Sequence, residues 1–427
     1  MRHQVSDERD SIQGAGVVAW SGGVLPPSMN SSLRIAIVLN PFSLRRMGGL
    51  HAPVMASELL GRGHRVRVVG DLAGTVPQSS LSAAWEGDPA PLEGAGLSAF
   101  EPDVIVAYDG RSPAALHGAR VARRTGAPLV LVEEGFPSQG KPIERLLRGF
   151  GRRAWGSLVQ RAAARVVALD PVAAAQSERR GFEPGRVVEL AAGVDVSTFR
   201  PGLASERRVR HRLPEHVLLA MGRMEPGRGI EVLVEAFART VGQRSDWALA
   251  LAGEGSLRAA LRAHCERLGV SARVRWIGRV GDEELPGLLG TATALLVPAL
   301  DDDVASQKVR RAMACGTPVL ASDVDRLRGT VEHDVTGLVV RAGDRDAWVE
   351  AISRLAADPA RRARWGQTAR ERAIEGMTWP HVATRFEEIL LRVVEESEQD
   401  RVPEGEADAG LRGDERGQDA ERLPYAS

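Results

Sequence analysis

The strongest constraint on the fold is a regular alternation of short β-branched runs with helical patterns. The runs are apolar at consecutive positions, which is typical of strands covered on both faces. The first six are Ile35–Leu39, Arg65–Val69, Val104–Ala107, Leu129–Val132, Val166–Leu169 and Val187–Leu190. The second six are Val217–Met221, Trp247–Ala252, Val274–Ile277, Ala294–Val297, Pro318–Ala321 and Gly337–Val340. The sequence therefore predicts an α/β protein with two doubly wound parallel sheets, and ligands at the carboxyl ends of their strands.

Composition and patterning divide the chain of 427 residues into six predicted segments. The ends are rich in Gly, Ser and Pro or in charged residues, which is typical of disorder. We expect a disordered leader (1–31), a first Rossmann-like domain (32–200), a polar linker (201–215), a second Rossmann-like domain (216–378), a C-terminal helix (379–396) and a disordered charged tail (397–427). The cleft between the two domains is the expected site.

Overall composition excludes several classes of protein. The 56 basic and 56 acidic side chains cancel, which argues against a nucleic-acid binder that works by bulk charge. The chain has only two cysteines, so neither a disulfide framework nor a cysteine-ligated zinc site is expected. No apolar run approaches the ~18 residues that span a bilayer, and the first residues lack an apolar export region. A cytoplasmic protein is predicted.

Two glycine-rich turns suggest anion binding. Gly48 and Gly49 precede a predicted helix, where free backbone N–H groups favour an anion. In the second half, strand Val217–Met221 runs into a turn that contains Gly222, Arg223 and Arg228. Arginine donates in a fork to phosphate oxygens and keeps its charge, so this pair at a strand end predicts a diphosphate site.

Three further segments follow strand ends in the second half. They contain Gly253, Arg279 and the loop from Pro298 to Lys308. That loop meets a helix N-terminus, so backbone N–H groups and carboxylates together suit an anion or a polyol. Its three consecutive aspartates also suit a hard cation, which is the weaker alternative.

Four stretches of the sequence together resemble the retaining glycosyltransferases of family 4, which have the GT-B fold. The matching stretches are GG-x6-A-x2-L-x2-RGH at Gly48–His64, AAGVDVSTFRP at Ala191–Pro201, GRMEPGRGIEVLVEAF at Gly222–Phe237 and AMACGTPVLAS at Ala312–Ser322. The resemblance covers roughly Leu33 to Val394. It implies transfer of a sugar from a nucleotide-diphosphate sugar to an acceptor, with retention of configuration and without a divalent metal or a cofactor.

The resemblance also implies roles for particular residues. Arg223 matches the arginine that contacts the diphosphate, and Arg228 stands at the usual lysine. Gly48 and Gly49 would let the first domain close on the phosphates, and Trp379–Val394 resembles the helix that crosses back to that domain. Donor hydroxyls and phosphates would be held by Gly222, Gly253, Arg279, Asp303, Val304, Ala305, Ser306 and Lys308.

Two positions depart from the family pattern. Arg311 stands where a glutamate usually binds the donor ribose, and an arginine cannot accept those hydrogen bonds. Either Arg311 turns away, or the donor differs, or no donor is bound. The family often has a histidine after the fourth strand, where this chain has Glu133 and Glu134. Either carboxylate could replace it on the acceptor side, and an exposed loop charge pair is the alternative.

Two other features bear on partners. Only two of the 56 cations are lysines, Lys141 and Lys308, and we expect Lys308 to bond donor phosphate or sugar oxygens. Segment 141–165 is basic with apolar residues at helical spacing, so it could rest on an anionic membrane and present a lipid-linked acceptor. A solvated or domain-facing helix is the alternative.

The leading hypothesis is therefore a metal-independent GT-B glycosyltransferase that takes a nucleotide sugar and an unknown glycan, lipid-linked or small-molecule acceptor. One alternative is a catalytically degenerate GT-B protein that binds a sugar or nucleotide, or serves as a scaffold. A nucleotide-sugar epimerase is a third hypothesis, which the order of the motifs disfavours.

Overall fold

Two parallel six-stranded sheets organise the protein. The computed structural model describes residues 32–39, 51–70, 96–134, 156–203, 206–302, 304 and 306–401. The first sheet contains β1 Arg34–Val38, β2 Arg65–Val69, β3 Val104–Tyr108, β4 Leu129–Glu133, β5 Ala163–Ala168 and β6 Val187–Glu189. The second contains β7 His216–Met221, β8 Trp247–Ala252, β9 Val274–Gly278, β10 Ala294–Val297, β11 Val319–Ser322 and β12 Gly337–Val340. The predicted α/β architecture is confirmed.

The strand orders identify where a ligand would bind. The first sheet has the order β2-β1-β3-β4-β5-β6 and the second β12-β11-β10-β7-β8-β9, with parallel pairing throughout. In the second sheet, the chain leaves β7 toward β8 on one side and later fills the other side with β10. Such a reversal opens a crevice at the carboxyl ends of the two strands. In this protein the crevice lies between β7 and β10.

Helices cover both sheets. Those of the first half are α1 His51–Gly61, α2 Leu97–Phe100, α3 Pro113–Thr125, α4 Gly156–Ala162 and α5 Pro171–Arg179. Those that follow are α6 Glu206–Arg210, α7 Ile230–Arg239, α8 Arg258–Arg267, α9 Leu285–Gly290, α10 Ser306–Ala314, α11 Arg345–Ala357, α12 Pro359–Gly376 and α13 Trp379–Gln399. Helix α6 lies inside the segment predicted as a linker. One-turn 3-10 helices span Pro184–Arg186, Ser271–Arg273 and Asp325–Leu327.

Helix α3 shows how the sequence sets an element's limits. The Ser112 hydroxyl accepts a hydrogen bond from the Ala115 N–H at 3.1 Å, which caps the first turn, and Pro113 fits the first helical position. Gly126 ends the helix with φ 74°, a left-handed conformation that glycine adopts without strain. Ser112, Pro113 and Gly126 therefore define the two ends of this helix.

The C-terminal helix α13 packs on the first sheet although it follows the second in sequence. Phe386 and Leu390 are fully buried in one cluster with Ile35 of β1. The chain crosses between the two sheets where the Val194 N–H donates to the Met377 carbonyl at 2.7 Å. A β-carbon on Gly193 would lie 2.7 Å from the Trp379 ring, so only glycine fits this crossing.

His64 is buried between the first sheet and α13. Its Nδ1 accepts a hydrogen bond from the Leu33 N–H at 3.1 Å, and its Nε2 lies 2.9 Å from Glu387 Oε1. These contacts give His64 a structural role.

The segment considered for membrane contact is described only in part, because 141–155 lie outside the described residues. The remainder includes α4, where Val159 is buried and Leu158 packs against the core of the first sheet. Among the described residues, no helix has the length and apolar character to cross a bilayer.

Candidate functional site

A cavity of about 340 Å³ opens at the crevice between β7 and β10. This size falls in the range of small-molecule sites. The described lining residues come from the end of β7 and the turn that follows it, the start of α7, the end of β10 and the loop that follows it, and helix α10. They are Met221, Gly222, Arg223, Gly227, Arg228, Ile230, Val297, Pro298, Ala299, Asp301, Val304 and Lys308. The cavity therefore lies where the strand order predicts a ligand. Its described lining residues all belong to the half of the chain that forms the second sheet.

Glycines bring the two loops of the cavity into contact. Gly229 has φ 71°, and a β-carbon on it would lie 1.9 Å from the Pro298 carbonyl oxygen. Only glycine therefore lets the turn after β7 pack against the loop after β10. This packing places Arg228 beside Asp301 of the neighbouring loop.

The two arginines predicted to bind a diphosphate both line the cavity. The Arg228 side chain is 21% exposed, and its Nη1 lies 3.9 Å from Asp301 Oδ1. Arg223 is exposed at the rim. Because a guanidinium stays charged and donates in a fork, two of them at one cavity create a site for an anion.

Lys308 adds a third cation from a separate element. It lies in the first turn of α10, and its Nζ donates to the Met221 carbonyl at 3.0 Å. Burial, together with the positive charge of Arg228, lowers the pKa of Lys308 from its usual 10.5 to about 8. At neutral pH the cavity therefore contains three positive groups, and Lys308 is poised to lose its proton just above neutrality.

Other predicted site residues have different places. Gly253 does not line the cavity; a β-carbon on it would lie 1.9 Å from the Gly222 carbonyl oxygen, so it permits close packing behind the turn after β7. Arg279 is exposed and lies outside the described lining. Val304 is in the lining, whereas Ser306 accepts a hydrogen bond from Arg310 Nη1 at 3.0 Å. Four predicted residues lie outside the described residues: Gly48, Gly49, Asp303 and Ala305.

Glu133 is buried at the end of β4 and does not line the cavity. Its Oε1 lies 3.0 Å from Arg180 Nη2 and accepts a hydrogen bond from the Gly110 N–H at 3.2 Å. The alternative of an exposed loop charge is therefore wrong for Glu133, because β4 runs one residue further than predicted. Glu134 follows the strand and is half-buried.

Arg311 is directed away from the cavity. Its guanidinium carbon lies 5.0 Å from the centre of the Phe199 ring, and its Nη1 lies 3.3 Å from Asp282 Oδ1. Of the three explanations that the sequence left open for this charge reversal, the structure supports the first. Arg311 therefore does not supply the group that would contact a donor ribose at this position.

Sequence reasoning missed two carboxylates near the site. Asp301 faces Arg228; Asp303, to which the family pattern points, lies outside the described residues. Glu225 lies in the turn after β7 and accepts hydrogen bonds from the Ser256 hydroxyl and from its N–H at 3.0 Å. These bonds lower the pKa of Glu225 and tie the arginine-bearing turn to the turn after β8.

Comparison with solved structures supports the fold. A glycosyltransferase from Rickettsia africae superposes with a TM-score of 0.68 at 16% identity, over 86% of this chain and 99% of that one. Anabaena HepE, solved in complex with UDP and glucose, superposes with a TM-score of 0.61 at 18% identity, over 84% of this chain and all of that one. At such identities the likeness concerns the fold alone, and the chain has the GT-B fold.

Sequence relatives are more specific. D-inositol 3-phosphate glycosyltransferase 1 of Catenulispora acidiphila is 30% identical over 296 residues, which is 65% of this chain and 70% of the relative. A GDP-mannose-dependent phosphatidylinositol monomannoside mannosyltransferase of Mycolicibacterium smegmatis is 31% identical over 219 residues, 49% of this chain and 57% of the relative. The chain spans 65% of the D-inositol 3-phosphate glycosyltransferase of Mycobacterium avium, at 28% identity. The model of the family described as glycosyl transferases group 1 matches residues 204–372. The chain belongs to this family.

Proposed function

We propose that the protein transfers a sugar from a nucleoside-diphosphate sugar to an acceptor hydroxyl, with retention of configuration and without a divalent metal. One observation carries the proposal: Arg223, Arg228 and Lys308, from two separate segments, converge on one cavity at the carboxyl edge of the second sheet. As the bond from the sugar to the diphosphate breaks, the leaving group gains negative charge. Fixed cations stabilise that charge and need little rearrangement during the reaction.

The three cations have distinct tasks in this proposal. The guanidinium groups of Arg223 and Arg228 bind phosphate oxygens through forked hydrogen bonds. Lys308 contributes a point charge. Its Nζ donates one hydrogen bond to the Met221 carbonyl, and because an ammonium has three donors, others can face the phosphate oxygens. Together they take the role that a divalent cation has in metal-dependent transferases, so we expect turnover to persist in excess EDTA.

For the acceptor side we propose Glu134 rather than Glu133. The charge of Glu133 is balanced by Arg180, and Gly110 covers it so closely that a β-carbon there would lie 2.7 Å from Glu133 Oε1. Glu133 is therefore built into the sheet edge, whereas Glu134 extends beyond it. Replacement Glu134→Gln should slow transfer and leave diphosphate binding intact; equal transfer rates would contradict this assignment.

The names of the relatives support a proposal for the class of acceptor. Their names specify D-inositol 3-phosphate in one group and a phosphatidylinositol mannoside in the other, and the latter uses GDP-mannose. Both acceptors contain a cyclic polyol and a phosphate. We propose a phosphorylated polyol, free or lipid-linked, as the acceptor class for this protein.

A panel of UDP-, GDP-, ADP- and TDP-sugars tests the proposal. Thermal unfolding with each sugar identifies the donor, because a ligand at a hundred times its Kd stabilises a protein by about 2.7 kcal/mol. The best binder is then incubated alone and with inositol phosphates, and the release of free nucleotide is measured. Release that increases with an acceptor supports transfer. Stabilisation without any release would instead identify a binding protein, and no stabilisation would contradict the proposal.

A further inference from the structure

A buried ion pair joins the two halves of the molecule beside the candidate site. Asp170 directly precedes α5, next to the first sheet, and Arg326 lies in the 3-10 helix Asp325–Leu327 after β11 of the second sheet. Arg326 Nη1 lies 2.8 Å from Asp170 Oδ2, and the two side chains are 7% and 3% exposed. The pair is therefore buried, although Asp170 lies beside the first sheet and Arg326 lies beside the second.

Two other groups of Arg326, its Nε and its backbone N–H, contact the loop that forms one wall of the cavity. Its Nε donates to the Asp302 carbonyl at 2.6 Å, and its backbone N–H donates to Asp302 Oδ1 at 2.8 Å. Asp302 is adjacent to Asp301, which lines the cavity opposite Arg228. One buried arginine thus connects a carboxylate of the first half to the loop that bounds the proposed donor cavity.

Asp170 is held in place from its own side. Its Oδ1 accepts the Ala173 N–H at 2.9 Å and caps α5, while Oδ2 faces Arg326. A second guanidinium, Arg310 in α10, is buried nearby; burial lowers its pKa to about 10, and the negative charge of Asp170 acts in the opposite direction. The carboxylate therefore balances positive charge on α10, which borders the cavity, and on the 3-10 helix that contacts the loop after β10.

A buried pair of this kind adds little net stability, because the loss of hydration offsets most of the attraction. The pair does constrain the positions of Asp170 and Arg326, because a buried charge that loses its partner strongly destabilises the folded protein. The loop after β10 therefore takes its observed position most readily when Asp170 is in place.

We propose that Arg326 is a positioning residue that makes the donor cavity dependent on the docking of the first half through Asp170. The proposal rests on the proposed function, because the affinity in question is that for a nucleoside diphosphate. Asp170 does not line the cavity, so any effect of its replacement on diphosphate affinity is indirect. In this proposal the effect passes through Arg326 and Asp302, and the charge of Arg310 in α10 is the other route, which the variants at Arg326 separate.

The test is a double-mutant cycle on the full chain. The variants are Asp170→Asn, which keeps an oxygen to cap α5, Arg326→Gln, and the two together. The Kd values for UDP, GDP, ADP and TDP are measured by titration calorimetry. Each single variant should weaken the best binder at least fivefold, and the double variant should be no weaker than the worse single one, because both replacements break the same connection.

Arg62→Gln is the matched control. It removes an ion pair of similar length, 2.9 Å from Arg62 Nη1 to Glu387 Oε2, that joins the residue after α1 to α13. It should lower the melting temperature and leave the diphosphate Kd within twofold. If Asp170→Asn and Arg326→Gln behave in the same way, the pair is only structural and the proposal is overturned.

Arg326→Lys covers the case in which the other variants do not fold. Lysine keeps the charge toward Asp170 but lacks the planar fork that reaches Asp302 at the same time. We expect a Kd above that of the wild type, and an unchanged Kd overturns the proposal. A wild-type protein that binds none of the four diphosphates overturns the proposed function as well, whereas equal binding by all variants overturns the positioning role alone.

Discussion

The Arg228 guanidinium lies 3.9 Å from the Asp301 carboxylate at the cavity wall. This separation exceeds that of a hydrogen bond, so the interaction between these two atoms is one of charge. Asp301 therefore neutralises part of the positive potential that attracts a diphosphate.

We expect Asp301→Asn to bind the nucleoside diphosphate two- to fivefold more tightly. A negative charge near the phosphates costs about 0.5–1 kcal/mol at such a partly hydrated surface. Titration calorimetry at low salt measures the change, and 0.5 M salt should reduce it. Weaker binding by the variant would show that Asp301 contacts the donor itself.

Lys308 makes diphosphate binding depend on pH. Its pKa of about 8 means that the ammonium is present at pH 7, while roughly a tenth of it remains at pH 9 in the free protein. The affinity should therefore fall about tenfold between pH 7 and pH 9. The Lys308→Gln variant should bind more weakly at pH 7 and show a flatter profile. Parallel profiles for the two proteins would assign the pH dependence to another group.

Arg311→Ala should leave the diphosphate Kd within twofold. Arg311 packs on Phe199 and pairs with Asp282, so its loss affects that contact rather than the cavity. Lys308→Gln, three residues earlier in the same helix, is the comparison variant that should lower affinity. A fivefold or larger change for Arg311→Ala would mean that this side chain turns toward the donor when it binds.

Folding stability should fall in mild acid because of His51. This side chain is buried and bonded to the Tyr108 hydroxyl at 2.9 Å, and burial lowers the pKa of His51 from 6.5 to about 4. The unfolded chain takes up a proton below pH 6.5, whereas the folded protein resists it down to about pH 4. The free energy of unfolding therefore decreases by about 2 kcal/mol from pH 7 to pH 5 through this group.

The variant His51→Asn isolates that contribution. It keeps an acceptor near Tyr108 but cannot be protonated, so it should be less stable at pH 7 and lose less stability at pH 5. Urea unfolding at the two pH values measures both quantities. An equal loss in wild type and variant would exclude His51 as the cause.

The strands were predictable because burial on both faces leaves consecutive apolar residues in the sequence, as in Val104–Tyr108 of β3. The turn that carries Arg228 was predictable because its glycines and its place after a strand are local features. The strand pattern and the turn are each contained in one short segment of the chain. The sequence alone therefore sufficed for the architecture and for the cations of the site.

The remaining features depend on contacts between distant segments. Arg311 turns away because Phe199 offers it a ring to stack on, and Glu133 is buried because Arg180 balances its charge. Neither Phe199 nor Arg180 can be identified as a partner from the spacing of residues in the sequence. The position of Asp301 beside Arg228 depends on the path of the loop after β10, which contacts of Arg326 and Gly229 help to fix.

The most direct test of the account is the affinity of the double variant Arg223→Gln/Arg228→Gln for the nucleoside diphosphate that the wild type binds best. Loss of two charge-assisted interactions should raise the Kd by about a hundredfold or more. Arg239→Gln, at the exposed far end of α7, is the control and should match the wild type. A double variant that binds within twofold of the wild type would contradict the claim that these arginines hold the diphosphate.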